Sequence, residues 1–344
     1  MKSNRFNLLS IINVVLVFLL SGGAVTANED NKIVHDAEHN ILKAQHGERW
    51  AKEDAEIDAK LAEIREKNGG KPPNLVYILL DDLGFGEIGM PDLEVIRGYS
   101  TPRISKLADE GISLMRMYTE PSCTPTRVAM MTGRYAARTG TSEAKAVVAG
   151  DGLAAWEVTL AEVLSKAGYA TVHMGKWHLG DIEESYAINQ GFDYDEHPMQ
   201  QQGQMAIMNE TAEIEGLSTG QSRKLRADTF ELDKSFRTNP NDMVYGVVGE
   251  KGGPMREVNF KVGEVYTQKH YNRMEEGYKQ GALKQLERLA KGDKPFFLQY
   301  WPQLPLTFTR SDIEQAKTLN GGPIAESLAK VDSWIGEILD KIEE

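Results

Sequence analysis

The chain has little that could cross-link it or hold it in a membrane. Cys123 is the only cysteine among 344 residues, so no disulfide can form within the chain. Beyond the N-terminus, no apolar run approaches the roughly 20 residues that a membrane-spanning helix needs. The formal net charge of −12 argues against nucleic acid and acidic membranes as partners.

The first 27 residues have the pattern of a secretory signal peptide. Lys2 and Arg5 precede an apolar run from Leu8 to Leu20, and small residues suited to cleavage follow as far as Ala27. No cysteine follows the apolar run, so a lipid anchor is not expected. We expect an exported mature chain, periplasmic or secreted, with no stable membrane insertion after cleavage.

Residues 28–70 predict an N-terminal helical extension of one or two amphipathic helices that ends at two glycines. Three histidines in this segment, His35, His39 and His46, could suggest a metal site. No acidic or cysteine constellation with ligand spacing accompanies them, so a solvated helix face is the favoured interpretation.

Residues 71–344 predict an α/β domain. The continuous apolar run from Asn74 to Leu80 is typical of a strand buried on both faces of a parallel sheet, and Asp81 and Asp82 follow it. Adjacent carboxylates repel each other unless a positive charge lies between them. Open α/β sheets bind ligands at this edge, which favours a calcium ion held by oxygens; an ordinary solvated turn is the alternative.

Cys123 opens a short polar turn that leads into a helix. A helix over 103–110, with Thr101 as its N-cap, and a strand over 112–118 are predicted before it. Pro125 suits the first helical position and Arg127 lies one turn further on. A nucleophile with a cation above it suits chemistry on an anionic ester. A small buried thiol is the alternative, although an unpaired cysteine in an oxidising compartment needs a chemical reason.

The next predicted elements are a helix over 156–167 and a strand over 169–174. The strand leads into a glycine-bounded loop that contains Lys176 and His178. A cation and an imidazole two residues apart are a weak signal alone. Their position after a strand matches that of Asp81, which favours a shared site.

Residues 181–268 lose regular periodicity, which is typical of a substrate-specificity insertion. The predicted elements from there on are two hairpin strands near 243–248 and 258–265, a helix over 271–290, a strand over 295–301 and a helix over 323–344. In a parallel sheet the last helix would return the chain to a further strand. None follows in this sequence, so we expect a C-terminally incomplete fold.

Together these motifs resemble the type I, formylglycine-dependent sulfatases of the alkaline-phosphatase superfamily, and their pattern is most similar to that of bacterial arylsulfatases. The resemblance runs in family order from Asn74 to Glu344. It implies a mostly parallel sheet sandwiched by helices and the hydrolysis of a sulfate ester. The matching motifs are Asp81-Asp82, Thr101-Pro102, the C-x-P-x-R pattern of Cys123 to Arg127, Thr132-Gly133-Arg134 and Gly175-Lys176-Trp177-His178-Leu179-Gly180.

The resemblance implies a role for each matched residue. A separate formylglycine-generating enzyme would oxidise Cys123 to formylglycine. One hydroxyl of the hydrated aldehyde attacks the sulfate sulfur and expels the alcohol, and the other then loses its proton as sulfate is eliminated. Asp81, Asp82 and position 123 would bind calcium. Arg127 would steady the formylglycine hydrate.

Lys176 and His178 would bind the formylglycine and sulfate oxygens in such an enzyme. One departure from the family concerns leaving-group protonation. Where the family strand leads to a Pro-His pair, Pro302 is followed by Gln303. Glutamine can donate a hydrogen bond to a sulfate or leaving-group oxygen, but it cannot act as an acid near neutral pH.

The second departure concerns the metal site. In the family, an Asp-Asn pair that completes the calcium shell and a sulfate-binding lysine would both lie beyond Glu344. Asp81, Asp82 and formylglycine alone cannot supply the six to eight oxygens that calcium takes. The chain is therefore expected to be a fragment or a crippled product.

Two alternatives to a sulfatase stay open. A phosphonate or phosphodiester hydrolase of the same superfamily could use the same nucleophile and metal. A truncated, non-catalytic homologue could only bind sulfated ligands. The substrate could be a small aryl sulfate, a sulfated sugar or an algal polysaccharide.

Overall fold

A computed structural model describes residues 37–143, 151–180, 182–198, 244–254, 256–259, 268–304 and 322–344. The predicted signal peptide over 1–27, His35 and most of the predicted insertion lie outside these residues. The chain divides into two units, one within Val14–Asn74 and the other running from Leu75 to Glu344. No helix among the described residues is long and apolar enough to cross a bilayer.

The N-terminal extension forms one continuous helix, α1 (Ala37–Lys67), with no buried residue. Three i,i+4 ion pairs, of which Arg49–Glu53 is one, lie along it. His39 and His46 are half-exposed, and their rings lie 6.0 and 6.3 Å from that of Trp50. The favoured solvated-face interpretation of these two histidines agrees with this arrangement.

The second unit is built on one six-stranded sheet in the order β1-β6-β2-β3-β4-β5. The neighbours β1 and β6, β6 and β2, and β2 and β3 are parallel, whereas β4 is antiparallel to both β3 and β5. The predicted mostly parallel sheet is therefore confirmed. The strands are β1 (Leu75–Ile78), β2 (Ala170–Gly175), β3 (Tyr194–His197), β4 (Val244–Glu250), β5 (Arg256–Asn259) and β6 (Phe296–Trp301).

Helices cover both faces of the sheet. The remaining α-helices are α2 (Pro91–Arg97), α3 (Pro102–Glu110), α4 (Cys123–Thr132), α5 (Leu160–Lys166), α6 (Gln268–Ala290) and α7 (Gly322–Glu343). Side chains of α6 pack with Val172 and Leu298 on one face, whereas α4 and α5 pack with Phe297 and Trp301 on the other. Because β6 is covered on both faces, every one of its residues is buried, which explains why all but Gln299 are apolar.

The start of α3 is held by a residue that is distant in sequence. Thr101 occupies the N-cap position but makes no side-chain cap; it donates its hydroxyl hydrogen bond to Glu94. The carboxylate of Asp332 on α7 instead accepts from the backbone N–H groups of Arg103 and Ile104, at 3.1 and 2.9 Å. These bonds satisfy two of the unpaired donors of the first helical turn.

One predicted strand does not form, and one predicted helix begins later than expected. Residues 112–118 form no strand, because they pair with none of the described strands and their apolar side chains are exposed, from 45% for Leu114 to 88% for Tyr118. High β propensity does not make a strand without a partner. The helix predicted over 156–167 begins only at Leu160, where Thr159 and Glu162 form a capping box.

His173 of β2 lies at the centre of the layer between the sheet and α4. It is fully buried, and its ring nitrogens lie 3.1 Å from Gln299 Oε1 and 3.1 Å from the Gly175 carbonyl oxygen. The rings of Trp177 and Trp301 lie edge-on to it at 5.0 Å. Burial lowers the pKa of His173 to about 4, although the charge of Asp195 opposes this shift.

We expect the folded state to lose stability as the pH falls from about 6.5 to 4. Over that range His173 takes up a proton in the unfolded chain but not in the folded protein, and the linked loss is up to about 3 kcal/mol. His173→Gln removes this dependence, as urea denaturation at pH 7.5 and 4.5 would measure. His46→Gln on α1 is the control and should keep it. An equal pH dependence in the His173→Gln variant and the unchanged protein contradicts the expectation.

Candidate active site

Three neighbouring parallel strands each deliver one polar side chain to the same edge of the sheet. Asp81 follows β1, Gln303 follows β6 and Lys176 follows β2. Carboxyl ends of parallel strands meet at one edge, where α/β proteins bind ligands. All three residues are at least 93% buried. The sequence-based expectation that these strand-end residues share a site agrees with this placement.

The carboxylate of Asp81 is the point on which these side chains converge. Its Oδ2 accepts hydrogen bonds from Lys176 Nζ at 2.5 Å and from Gln303 Nε2 at 2.9 Å. Its Oδ1 accepts from Arg127 Nη2 at 3.0 Å. Two cations and one amide therefore surround a single carboxylate.

These charges fix the protonation state of Asp81. Burial by itself would raise the pKa of Asp81, but the nearby positive charges of Lys176 and Arg127 outweigh this effect and hold the pKa well below its ordinary value. Asp81 is therefore ionised near neutral pH.

Arg127 connects α4 to the sheet edge. Its guanidinium is 1% exposed, lies 4.7 Å above the Trp301 ring and donates from Nη1 to the Lys176 carbonyl oxygen at 2.9 Å. One side chain thus touches Asp81, the backbone of Lys176 and the face of Trp301. Only the planar, forked guanidinium can make all three contacts together.

Cys123 is the first residue of α4, so the predicted position of the thiol at a helix start is confirmed. It is half-buried, and its Sγ lies 3.8 Å from Ser122 Oγ. Pro125 is the third helical residue and not the first as predicted. Proline is tolerated there because the first turn has no carbonyl partner for its missing N–H.

Backbone geometry also singles out candidate site residues. Within the described part of the chain, Asp82 and His178 are the two non-glycine residues with positive φ, both at 55°. Such residues are uncommon and recur at functional sites. Asp82 is exposed and His178 is half-buried.

A close backbone contact fixes Lys176 next to β6. The Lys176 N–H donates to the Trp301 carbonyl oxygen at 2.9 Å. Gly175 just before it has a φ of 100°, and a Cβ there would overlap that carbonyl group. Glycine at position 175 is therefore required both by the backbone conformation and by the space.

The residues that sequence analysis missed lie beneath this edge. Glu275 on α6 is fully buried and accepts a hydrogen bond from the Gln303 backbone N–H at 3.0 Å. Trp301 supports Arg127, and His173 packs against Trp301. The one available sequence signal for Glu275 was its position in the apolar stripe of a helix. Met274 beside it and Tyr278 one turn further on both belong to the core.

The described residues do not complete a calcium site. No group of three His, Cys, Asp or Glu side chains among them could hold a metal ion, so Asp81, Asp82 and Cys123 do not form such a group. Both Asp81 oxygens already accept hydrogen bonds. Calcium binding by these residues stays a prediction, and any site would need ligands from elsewhere.

Arg127→Met should lower the free energy of unfolding by about 3 kcal/mol, because it leaves the Asp81 charge buried with one cation fewer. Combining it with Asp81→Asn should cost less than the sum of the two single changes. Urea denaturation of the three variants measures this coupling.

Arg49→Met, which removes one partner of the exposed Arg49–Glu53 pair on α1, is the control and should change little. Purely additive effects of the Arg127 and Asp81 changes would show that the buried pair does not couple.

Comparisons with known proteins give the site a context. Over 132 residues the chain is 40% identical to human arylsulfatase G, covering 38% of this chain and 25% of that protein. Over 117 residues it is 41% identical to mouse steryl-sulfatase, covering 32% and 18%. The chain thus spans about a quarter or less of the length of these curated relatives.

Among solved structures, the PsFucS1 sulfatase from Pseudoalteromonas sp. superposes with a TM-score of 0.66 at 26% identity, covering 83% of this chain and 54% of that one. The sulfatase family model matches residues 73–305. That range contains β1, α4, β2 and β6 together with every residue that surrounds Asp81. The chain belongs to the sulfatase family.

Proposed function

We propose that the protein hydrolyses sulfate esters. The observation that carries the proposal is the convergence of Arg127, Lys176 and Gln303 on one buried point at the sheet edge that α4 covers. Two buried cations and an amide donor suit the binding of an anionic ester group. The kinship with arylsulfatase G and steryl-sulfatase supports sulfate as that group.

Position 123 supplies the nucleophile in this proposal. When Cys123 is matured by a formylglycine-generating enzyme, its hydrated aldehyde supplies an oxygen nucleophile for the sulfate sulfur. Its half-buried position at the start of α4 supports access to the side chain. A maturing enzyme is accordingly a proposed partner.

The cations of the site stabilise the charge of the reacting group. Arg127 and Lys176 are held in place before substrate arrives, by Asp81 and by backbone contacts, so little reorganisation is needed when charge develops on sulfate oxygens. His178 on the same loop is proposed to contact sulfate as well. Gln303 donates a hydrogen bond to an oxygen of the ester and transfers no proton.

The substrate is an organic sulfate ester, either aryl or carbohydrate, and residues 181–268 are proposed to determine which one. We also propose an exported protein. The N-terminal pattern of residues 1–27 supports this assignment.

Cys123→Ala should lower the rate of hydrolysis of an aryl sulfate by the full-length protein about a thousandfold or more, because the nucleophile is lost. Mass spectrometry of the peptide that contains position 123 should find formylglycine when a formylglycine-generating enzyme is co-expressed. Turnover of aryl sulfate, aryl phosphonate and aryl phosphodiester is measured in parallel.

An unmodified thiol in active protein would contradict the proposed nucleophile. Faster cleavage of the phosphodiester or the phosphonate would favour the alternative hydrolase. Absence of turnover of all three substrates by fully matured protein would favour a non-catalytic homologue.

Calcium is proposed to bind at Asp81, Asp82 and position 123 together with ligands outside the described residues. Bound calcium would supply a Lewis acid. In the full-length protein, added calcium should raise the melting temperature by preferential binding to the folded state, and Asp82→Ala should remove most of that rise. Asp92→Ala, an exposed acid on α2, is the control. An unchanged rise in the Asp82→Ala variant would exclude Asp82 as a ligand.

A further inference from the structure

Glu275 is a fully buried carboxylate on α6, on the side of the sheet opposite to α4. Its neighbours Met274 and Tyr278 belong to the hydrophobic core. A carboxylate in such surroundings costs several kcal/mol unless hydrogen bonds compensate for its lost hydration. The bonds that hold Glu275 therefore indicate what it does for the fold.

Glu275 meets the chain at the point where it leaves the sheet. Strand β6 ends at Trp301, and Pro302 has no N–H to donate. The first backbone donor after the strand is the Gln303 N–H, which donates to Glu275 Oε2 at 3.0 Å. Because Gln303 is buried, this bond supplies an acceptor for an N–H group that would otherwise be costly to bury.

The same turn is also fixed from the other side. The Trp301 carbonyl oxygen accepts from the Lys176 N–H at 2.9 Å. Lys176 and Glu275 thus hold the backbone on either side of Pro302. The Cα of Gln303, from which its side chain extends, therefore has little freedom to move.

The side chain of Gln303 leads into the site. Its Nε2 donates to Asp81 Oδ2 at 2.9 Å, beside the ammonium group of Lys176. A short side chain separates the backbone nitrogen of Gln303 from Nε2. The position of the backbone therefore limits which atoms Nε2 can reach. A contact at Glu275 is therefore transmitted to the site through a single residue.

We propose that Glu275 is a positioning residue, which holds the backbone of Gln303 so that its amide reaches Asp81 beside Lys176, next to the proposed sulfate site. The proposal rests on the proposed role of Gln303 in binding the sulfate ester. In this proposal Glu275 acts on the site through Gln303, to which it is hydrogen-bonded, and not on the substrate itself.

Two substitutions of Glu275 separate hydrogen bonding from charge. Glu275→Gln keeps an oxygen acceptor of similar size, whereas Glu275→Leu keeps the volume and removes the acceptor. In the full-length, matured protein we expect Glu275→Leu to lower kcat/KM for an aryl sulfate about tenfold, the effect of one lost hydrogen bond, and Glu275→Gln to lower it much less. Hydrogen exchange of the Gln303 amide should be faster in Glu275→Leu and nearly unchanged in Glu275→Gln.

Lys279→Met is the matched control. Lys279 lies one turn further on the same helix, is equally inaccessible at 3% exposure and donates to Glu337 at 2.5 Å. It should leave the exchange of the Gln303 amide unchanged. An equal effect of Lys279→Met and Glu275→Leu on that amide would show a general loosening of α6 and overturn the proposal.

Gln303→Ala distinguishes failure of this inference from failure of the proposed function. If Glu275 acts through Gln303, adding Glu275→Leu to Gln303→Ala causes no further loss of kcat/KM. Multiplicative losses overturn the positioning role and leave the sulfatase proposal intact. If the unchanged, matured protein hydrolyses no sulfate ester, the proposed function fails, and unaltered exchange at Gln303 in Glu275→Leu then overturns the positioning role independently.

Discussion

The buried carboxylate of Asp81 is the interaction on which the site depends. Its three donors come from α4, from the loop after β2 and from the turn after β6, so one ion cluster connects segments far apart in sequence. Among the described residues, Asp81 is the one carboxylate within ion-pair distance of Arg127 and Lys176. Two positive charges therefore meet one negative charge in a region that excludes water. Because buried charge is costly unless it is paired, this cluster favours a further anion nearby, as a sulfate ester would provide.

The sheet topology is what allows this cluster to form. With β6 between β1 and β2, the turn that carries Gln303 lies between Asp81 and Lys176. The approach of Gly175 to the Trp301 carbonyl group then sets how closely the two loops meet. Arg127 reaches the same point from above because the Trp301 ring supports its guanidinium. Backbone contacts between the loops thus largely fix the positions from which the side chains of the site extend.

Sequence reasoning predicted the elements that periodicity and strand-end position determine. The runs that became β1 and β6 are almost entirely apolar because core residues pack on both faces, although β1 is only partly buried and β6 contains Gln299, and polar residues follow each strand at its end. It failed for residues 112–118, where strand formation depends on a partner that local sequence does not specify. It also missed Glu275 and His173, because their roles depend on contacts between segments of the chain that only the folded structure brings together. The short α2 was not predicted either, since one to two turns carry too little periodicity.

Gln303 shows how the site differs from one built around a protonating histidine. An amide can donate a hydrogen bond to an ester oxygen, but it cannot lose a proton to it near neutral pH. Held between Asp81 and Glu275, Gln303 is fixed as a donor, so in the proposed reaction it would stabilise charge without supplying a proton. Leaving groups that depart as stable anions suffer least from this, and phenols are more stable as anions than sugar alcohols. His178 and Lys176, both in the loop after β2, carry the groups of this site that can transfer a proton, and an imidazole does so most readily near neutral pH.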